Sequence, residues 1–127
     1  MKCSLCFLVL AACGGDDNAK MDAPKVIDAP SNAKVVPVDC ATTTATATVM
    51  TVNGTDAYMP MATTINMGGV VKFITSSEHD VNPNPIGMSD PGIKVGFSMT
   101  KCLRFTATGT FGFFCSNHSF AGTVTVN

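Results

Sequence analysis

Thr110-Phe111-Gly112-Phe113-Phe114-Cys115-Ser116-Asn117-His118-Ser119-Phe120-Ala121-Gly122-Thr123-Val124-Thr125-Val126-Asn127 is the stretch that decides the reading of this chain. Residues two apart on a strand share a face, so Phe111, Phe113 and Cys115 point the same way. Two aromatic rings lead into a core, and a thiol stands at the strand's end in apolar, weakly hydrated surroundings. His118 follows in a loop, free to turn its imidazole back toward that thiol. Gly122-Thr-Val124-Thr-Val126 then alternates again as a returning strand.

The chain holds only two histidines, His79 and His118, and both fall into one constellation with Cys115. A thiolate with two imidazoles is the donor set that selects copper and tunes it for electron transfer. Zinc competes for such ligands, but a structural zinc site takes four protein ligands, and the sequence offers no further histidine. Taken singly, Cys115-x-x-His118 also reads as a buried thiol beside a surface histidine, and His79 as a solvated side chain in a proline-rich loop.

With 127 residues, a formal net charge of −1 and 13% charged residues, the chain fits one small domain with extensions. It has no basic run, so nucleic-acid binding has no electrostatic footprint. Lys2 followed by the apolar run Leu5 to Ala12 predicts an export signal over 1–12, too short to span a bilayer. Leu10-Ala11-Ala12-Cys13 matches the bacterial lipobox, which predicts a lipid on Cys13 and a membrane-anchored protein outside the cytoplasm. An ordinary signal peptide with a chance cysteine is the alternative. Of the six cysteines, Cys3 and Cys6 lie in the signal, which leaves Cys40, Cys102 and Cys115 in the domain. An odd count in an exported protein points to one working thiol. With Cys115 needed as a ligand, Cys40 and Cys102 are expected to pair, the alternative being two buried free thiols.

Residues 13–37 are rich in Asp, Ala, Asn, Lys and Pro, with Asp22-Ala-Pro24 echoed by Asp28-Ala-Pro30, and read as a flexible linker. Residues 38–127 read as an all-β domain. Expected strands cover Thr44–Val52, Met61–Met67, Val70–Thr75, Cys102–Ala107, Phe111–Cys115 and Thr123–Asn127. Asn53-Gly54 and Gly68-Gly69 mark turns, and Ser76–Gly92 is a long loop carrying His79, Pro83, Pro85 and Pro91. Short strands with regular turn signals predict a Greek-key β-sandwich. Met59 and Met61 form a Met-x-Met pair. Their thioethers suit Cu(I), although filling an irregular core is the plainer role for methionine.

From about Tyr58 onward the chain resembles the cupredoxins, the small blue copper proteins. Tyr58-Met-Pro60, Ile65, Gly69, Val71 and Phe73 follow the family's Phe-x-Pro, Val, Gly and Val-x-Phe pattern, and Gly109-Thr-Phe-x-Phe-Phe-Cys115 is similar to its Gly-Thr-Tyr-x-Phe-Tyr-Cys strand. The resemblance implies one type 1 copper with His79, Cys115 and His118 as ligands. It also implies a redox partner protein docking on an apolar patch around the outer histidine, to which Phe120 would belong, the alternative being that Phe120 shields the ligand loop. Two positions depart from the pattern. Asp80 stands where the family has an asparagine that ties the ligand loops together; an ionised carboxylate accepts such bonds but cannot donate. Ala121 stands in the place of the axial methionine, and the loop is one residue shorter. The axial position would then be empty, hold water or be approached by the Glu78 carbonyl, with Met88 and Met99 in the other loop as further thioethers without a spacing argument for either. The contact is long and weak in such sites and mainly tunes potential.

The expected function is a copper-binding single-electron carrier, monomeric, with no enzymatic activity, since no histidine is left for a catalytic centre. A copper-holding or delivery protein and a metal-free cupredoxin-like interaction module are the alternatives.

Overall fold

The structure is a computed structural model that describes residues 33–127. The expected signal peptide, the lipidated Cys13 and most of the linker lie outside these residues.

Nine strands and no helix make up the described residues: β1 (Val35–Val38), β2 (Ala47–Val52), β3 (Thr55–Met59), β4 (Ala62–Ile65), β5 (Val70–Ile74), β6 (Asn82–Pro83), β7 (Thr100–Phe105), β8 (Gly109–Phe114) and β9 (Ala121–Val126). They form a five-stranded sheet in the order β1-β7-β5-β2-β3 and a four-stranded sheet in the order β4-β9-β8-β6. Both sheets are mixed, because β2 runs parallel to β5 and β4 parallel to β9. This is the expected all-β sandwich. Alternation is clear where one face is buried: in β8 Phe111 and Phe113 point inward, in β9 Val124 and Val126, and in β2 Val49 and Thr51. Phe73, Phe105, Phe113, Leu103 and Ile93 are fully enclosed in the core between the sheets. Gly122 faces this core, and a Cβ there would stand 2.6 Å from the Phe113 ring, so the ring's place depends on that glycine. Gly54 takes a positive φ of 77° in the β2–β3 turn that the Asn-Gly pair marks.

The folded unit begins earlier than the sequence reading placed it. Val35–Val38, assigned to the linker through Pro37, forms β1, and Val35 is fully buried. Pro37 is tolerated because β1 is an edge strand that pairs only with β7, so a missing N–H costs no inner ladder bond. β3 was also not anticipated: Thr55 and Asp56 are exposed and polar, and only Tyr58 faces the core. The core-filling role for methionine fails as well, since Met59 and Met61 are 39% and 63% exposed. Cys40 and Cys102 form the expected disulfide, with a Cα–Cα distance of 5.3 Å and a sequence separation of 62. Val38 pairs with Cys102 in the β1–β7 ladder, so the bridge continues that ladder just past the end of β1. A closed loop of that length stabilises by about 4 kcal/mol on chain-entropy grounds.

Candidate metal centre

Cys115 follows the last residue of β8, fully buried, on the inward face set by Phe111 and Phe113. It is the free cysteine among the described residues. His79 lies in the β5–β6 connection and is also fully buried. Its Nε2 is 3.1 Å from the carbonyl oxygen of Val52. A carbonyl only accepts, so Nε2 carries the proton and donates, and Nδ1 presents its lone pair to the site. That Nδ1 is 3.7 Å from Cys115 Sγ and 3.2 Å from His118 Nδ1. The donor atoms of His79, Cys115 and His118 all lie within 4.8 Å of one another. The structure thus brings together all three residues that the sequence singled out. The His118 side chain remains 33% exposed, whereas the other two are enclosed.

Backbone bonds shape the loop between Cys115 and Ala121. The Cys115 N–H donates to Phe120 O and the Ser119 N–H to Cys115 O, both at 2.9 Å, with Ser119 at a φ of 60°. Asp80, next in sequence to His79, straps this loop to the upstream one. Its Oδ1 accepts the Ser116 N–H at 2.8 Å, and its Oδ2 accepts the Ser116 hydroxyl at 2.6 Å and the Asn82 amide at 2.8 Å. Burial alone would raise the Asp80 pKa. The hydrogen bonds from the Ser116 side chain and backbone and from Asn82 outweigh it and hold the carboxyl below its ordinary value. The partners here are all donors, so a residue able only to accept is sufficient, and the departure at this position leaves the two ligand segments joined. Asn117 adds a second tie through its amide to Glu78 O at 3.2 Å.

Tyr58 braces the same segments from beneath. Its hydroxyl donates to Asp80 O at 2.6 Å, and its ring meets Phe113 and Phe120 edge-on at 4.7 and 4.6 Å. Desolvation, then the neighbouring Cys115 and Asp80, push its pKa far up, so it stays a neutral donor. Phe120 is half-buried and packs edge-on against His79, with centroids 4.9 Å apart. One side of this ring therefore shields the buried imidazole.

No thioether comes from the shortened loop. Ala121 already belongs to β9, pairs with Phe114 and is exposed, on the face opposite Gly122 and the core. Met88 is 84% exposed and lines a surface pocket with Thr110 and Phe111, at the far end of β8 from Cys115. Met99 is half exposed and packs over Gly96.

Two features escaped the sequence reading. Asp56, exposed in β3, lies 3.9 Å from His118 Nδ1. The Val52 carbonyl fixes the His79 tautomer. Neither carries a local signal, because each meets its histidine only through the fold.

No protein-family model matches the sequence, and no curated protein matches it. Solved structures do. An amicyanin from Paracoccus versutus is 22% identical with a TM-score of 0.54, the match covering 75% of this chain and 99% of that one. A methionine-to-alanine variant of amicyanin in its Cu(I) form is 20% identical with a TM-score of 0.54, covering 74% and 99%. Native pseudoazurin from Hyphomicrobium denitrificans is 22% identical with a TM-score of 0.52, covering 63% and 73%. At these identities the likeness bears on architecture, and in architecture the chain is cupredoxin-like.

Proposed function

We propose that this chain is a copper-binding single-electron carrier, exported and anchored outside the cytoplasm by a lipid on Cys13, with one type 1 copper held by His79 Nδ1, Cys115 Sγ and His118 Nδ1. The observation that carries the reading is the convergence of one thiol sulfur and two imidazole nitrogens within 4.8 Å, two of the three residues being fully buried. This donor set fits copper: soft sulfur and imidazole favour it, and three donors fall short of a structural zinc site. Bound copper would supply the one-electron couple between Cu(II) and Cu(I).

The protein's part is to hold the donors. Val52 O orients His79, the Asp80–Ser116 strap fixes the spacing of the two ligand segments, and Tyr58 with Phe113 and Phe120 excludes water from the inner side. His118 is the donor nearest solvent, so its edge is the port for electrons, and the exposed part of Phe120 beside it would meet a redox partner protein. The amicyanin variant solved as Cu(I) with a methionine replaced by alanine supports copper binding on this architecture in a chain altered at a methionine.

A copper-holding or delivery role is the second reading, favoured by the exposed Ala121 in place of a thioether. One experiment separates the two. Loading the mature chain with one equivalent of Cu(II) is expected to give an intense visible thiolate-to-copper band and reversible reduction. Stoichiometric binding without that band, with transfer of Cu(I) to an acceptor, would favour delivery. No stoichiometric binding would overturn both.

A further inference from the structure

All six methionines among the described residues are exposed, between 39% for Met50 and Met59 and 84% for Met88. Methionine normally fills core gaps, so packing does not account for this distribution. Two of the six are brought together by sheet register. Met50 of β2 and Met59 of β3 are direct antiparallel partners. Tyr58 points into the core, and Met50 lies between the inward-facing Val49 and Thr51, so both methionines stand on the outer face. Directly opposed residues hold their Cβ atoms about 4.5–5.5 Å apart. Each thioether then hangs on a flexible, unbranched stem that can swing its sulfur onto a shared ion. Ile74, the partner of Met50 on its other side, is half-buried and apolar.

We propose that Met50 and Met59 form a second soft-metal site that binds Cu(I) through thioether sulfur, separate from the His79–Cys115–His118 centre. Thioether donors select Cu(I) over divalent ions, so this site takes the reduced ion and leaves Cu(II) to the buried thiolate. Val52, two residues beyond Met50, holds His79, and Asp56, three residues before Met59, lies beside His118. The pair thus sits on the two strands whose hairpin end reaches both imidazoles, through Val52 of β2 and Asp56 of β3. The inference deepens the copper-binding reading but does not require the blue site.

The test is Cu(I) stoichiometry on the full mature chain, measured by competition with a chromophoric Cu(I) chelator under reducing, anaerobic conditions. The unaltered chain is expected to take two equivalents. A double Met50→Leu and Met59→Leu variant, close in volume and half-exposed at both positions, is expected to take one. Titration with Ag(I), a diamagnetic stand-in, is expected to shift the ε-methyl signals of Met50 and Met59 while those of Met67 and Met88, at the other end of the sandwich, stay in place. A single equivalent in the unaltered chain that the double variant keeps, or two equivalents retained by the double variant, overturns the proposal. A Cys115→Ser variant distinguishes the two sites: one equivalent retained there supports the thioether site whatever the visible spectrum of the first site shows, and none retained overturns it.

Discussion

Replacing Asp80 tests how the two ligand-bearing segments are held together. Its carboxylate accepts three hydrogen bonds, two from Ser116 and one from Asn82. Bonds to a charged group contribute about 1.5–3 kcal/mol each. Ser116 is exposed and Asn82 half-buried, so water replaces part of what is lost and the low end applies. Asp80→Ala is therefore expected to destabilise the metal-free domain by about 4–5 kcal/mol, a large share of the 5–15 kcal/mol typical of a domain. Asp80→Asn keeps one accepting oxygen for the Ser116 N–H and sets its own amide against the Asn82 amide, so about 1–2 kcal/mol is expected. Urea unfolding followed by circular dichroism measures both, and a midpoint that shifts without a change in slope identifies a stability effect. The pH dependence has a definite sign. The Asp80 pKa is lowered on folding, so its contribution is complete above the ordinary carboxylate value, near 3.9, and is lost as pH falls through the lower folded value. The unaltered domain should lose stability in that acid window, and Asp80→Asn should lose less. An Asp80→Ala midpoint equal to that of the unaltered domain, or an Asp80→Asn as damaging as Asp80→Ala, would refute the reasoning.

Other consequences are open to equally direct checks. Replacing Cys40 and Cys102 together by alanine opens a loop with a sequence separation of 62 and is expected to cost about 4 kcal/mol in chemical denaturation. Tyr58→Phe keeps the aromatic packing but leaves the Asp80 carbonyl without its 2.6 Å donor, for a loss of about 1–3 kcal/mol in the same assay. Ala121→Met alone is expected to leave the visible spectrum of the copper-loaded protein unchanged, because position 121 faces away from Cys115 in β9; the same change with one residue inserted after it should alter the spectrum.

The parts of the fold legible in the sequence were those where one face is wet and the other dry. β8 and β9 alternate cleanly, and Cys115 extends the inward row of Phe111 and Phe113, so the thiol's place could be read directly. β1 was hidden by Pro37, whose cost vanishes only at a sheet edge, and β3 by the exposed Thr55 and Asp56. The methionines misled because an apolar side chain at strand spacing suggests a core, and nothing local reveals that Met50 and Met59 face outward. At the site, the donor residues were legible from chemistry alone, since two histidines and one spare thiol leave few combinations. Their support was less so. That a carboxylate at Asp80 can only accept says nothing of its partners in sequence; Ser116 and Asn82 are both donors, so a pure acceptor suffices. The Val52 carbonyl and Asp56 reach their histidines across 27 and 62 positions of sequence, distances over which no periodicity speaks.

X-ray absorption at the copper edge of the mature chain loaded with one equivalent of Cu(II) tests the central claim most directly. The account predicts a first shell of one short sulfur bond and two imidazole nitrogens, with the sulfur lost in Cys115→Ser and one imidazole lost in each of His79→Ala and His118→Ala. A shell of nitrogen and oxygen alone, or a sulfur that survives the loss of Cys115, would contradict it.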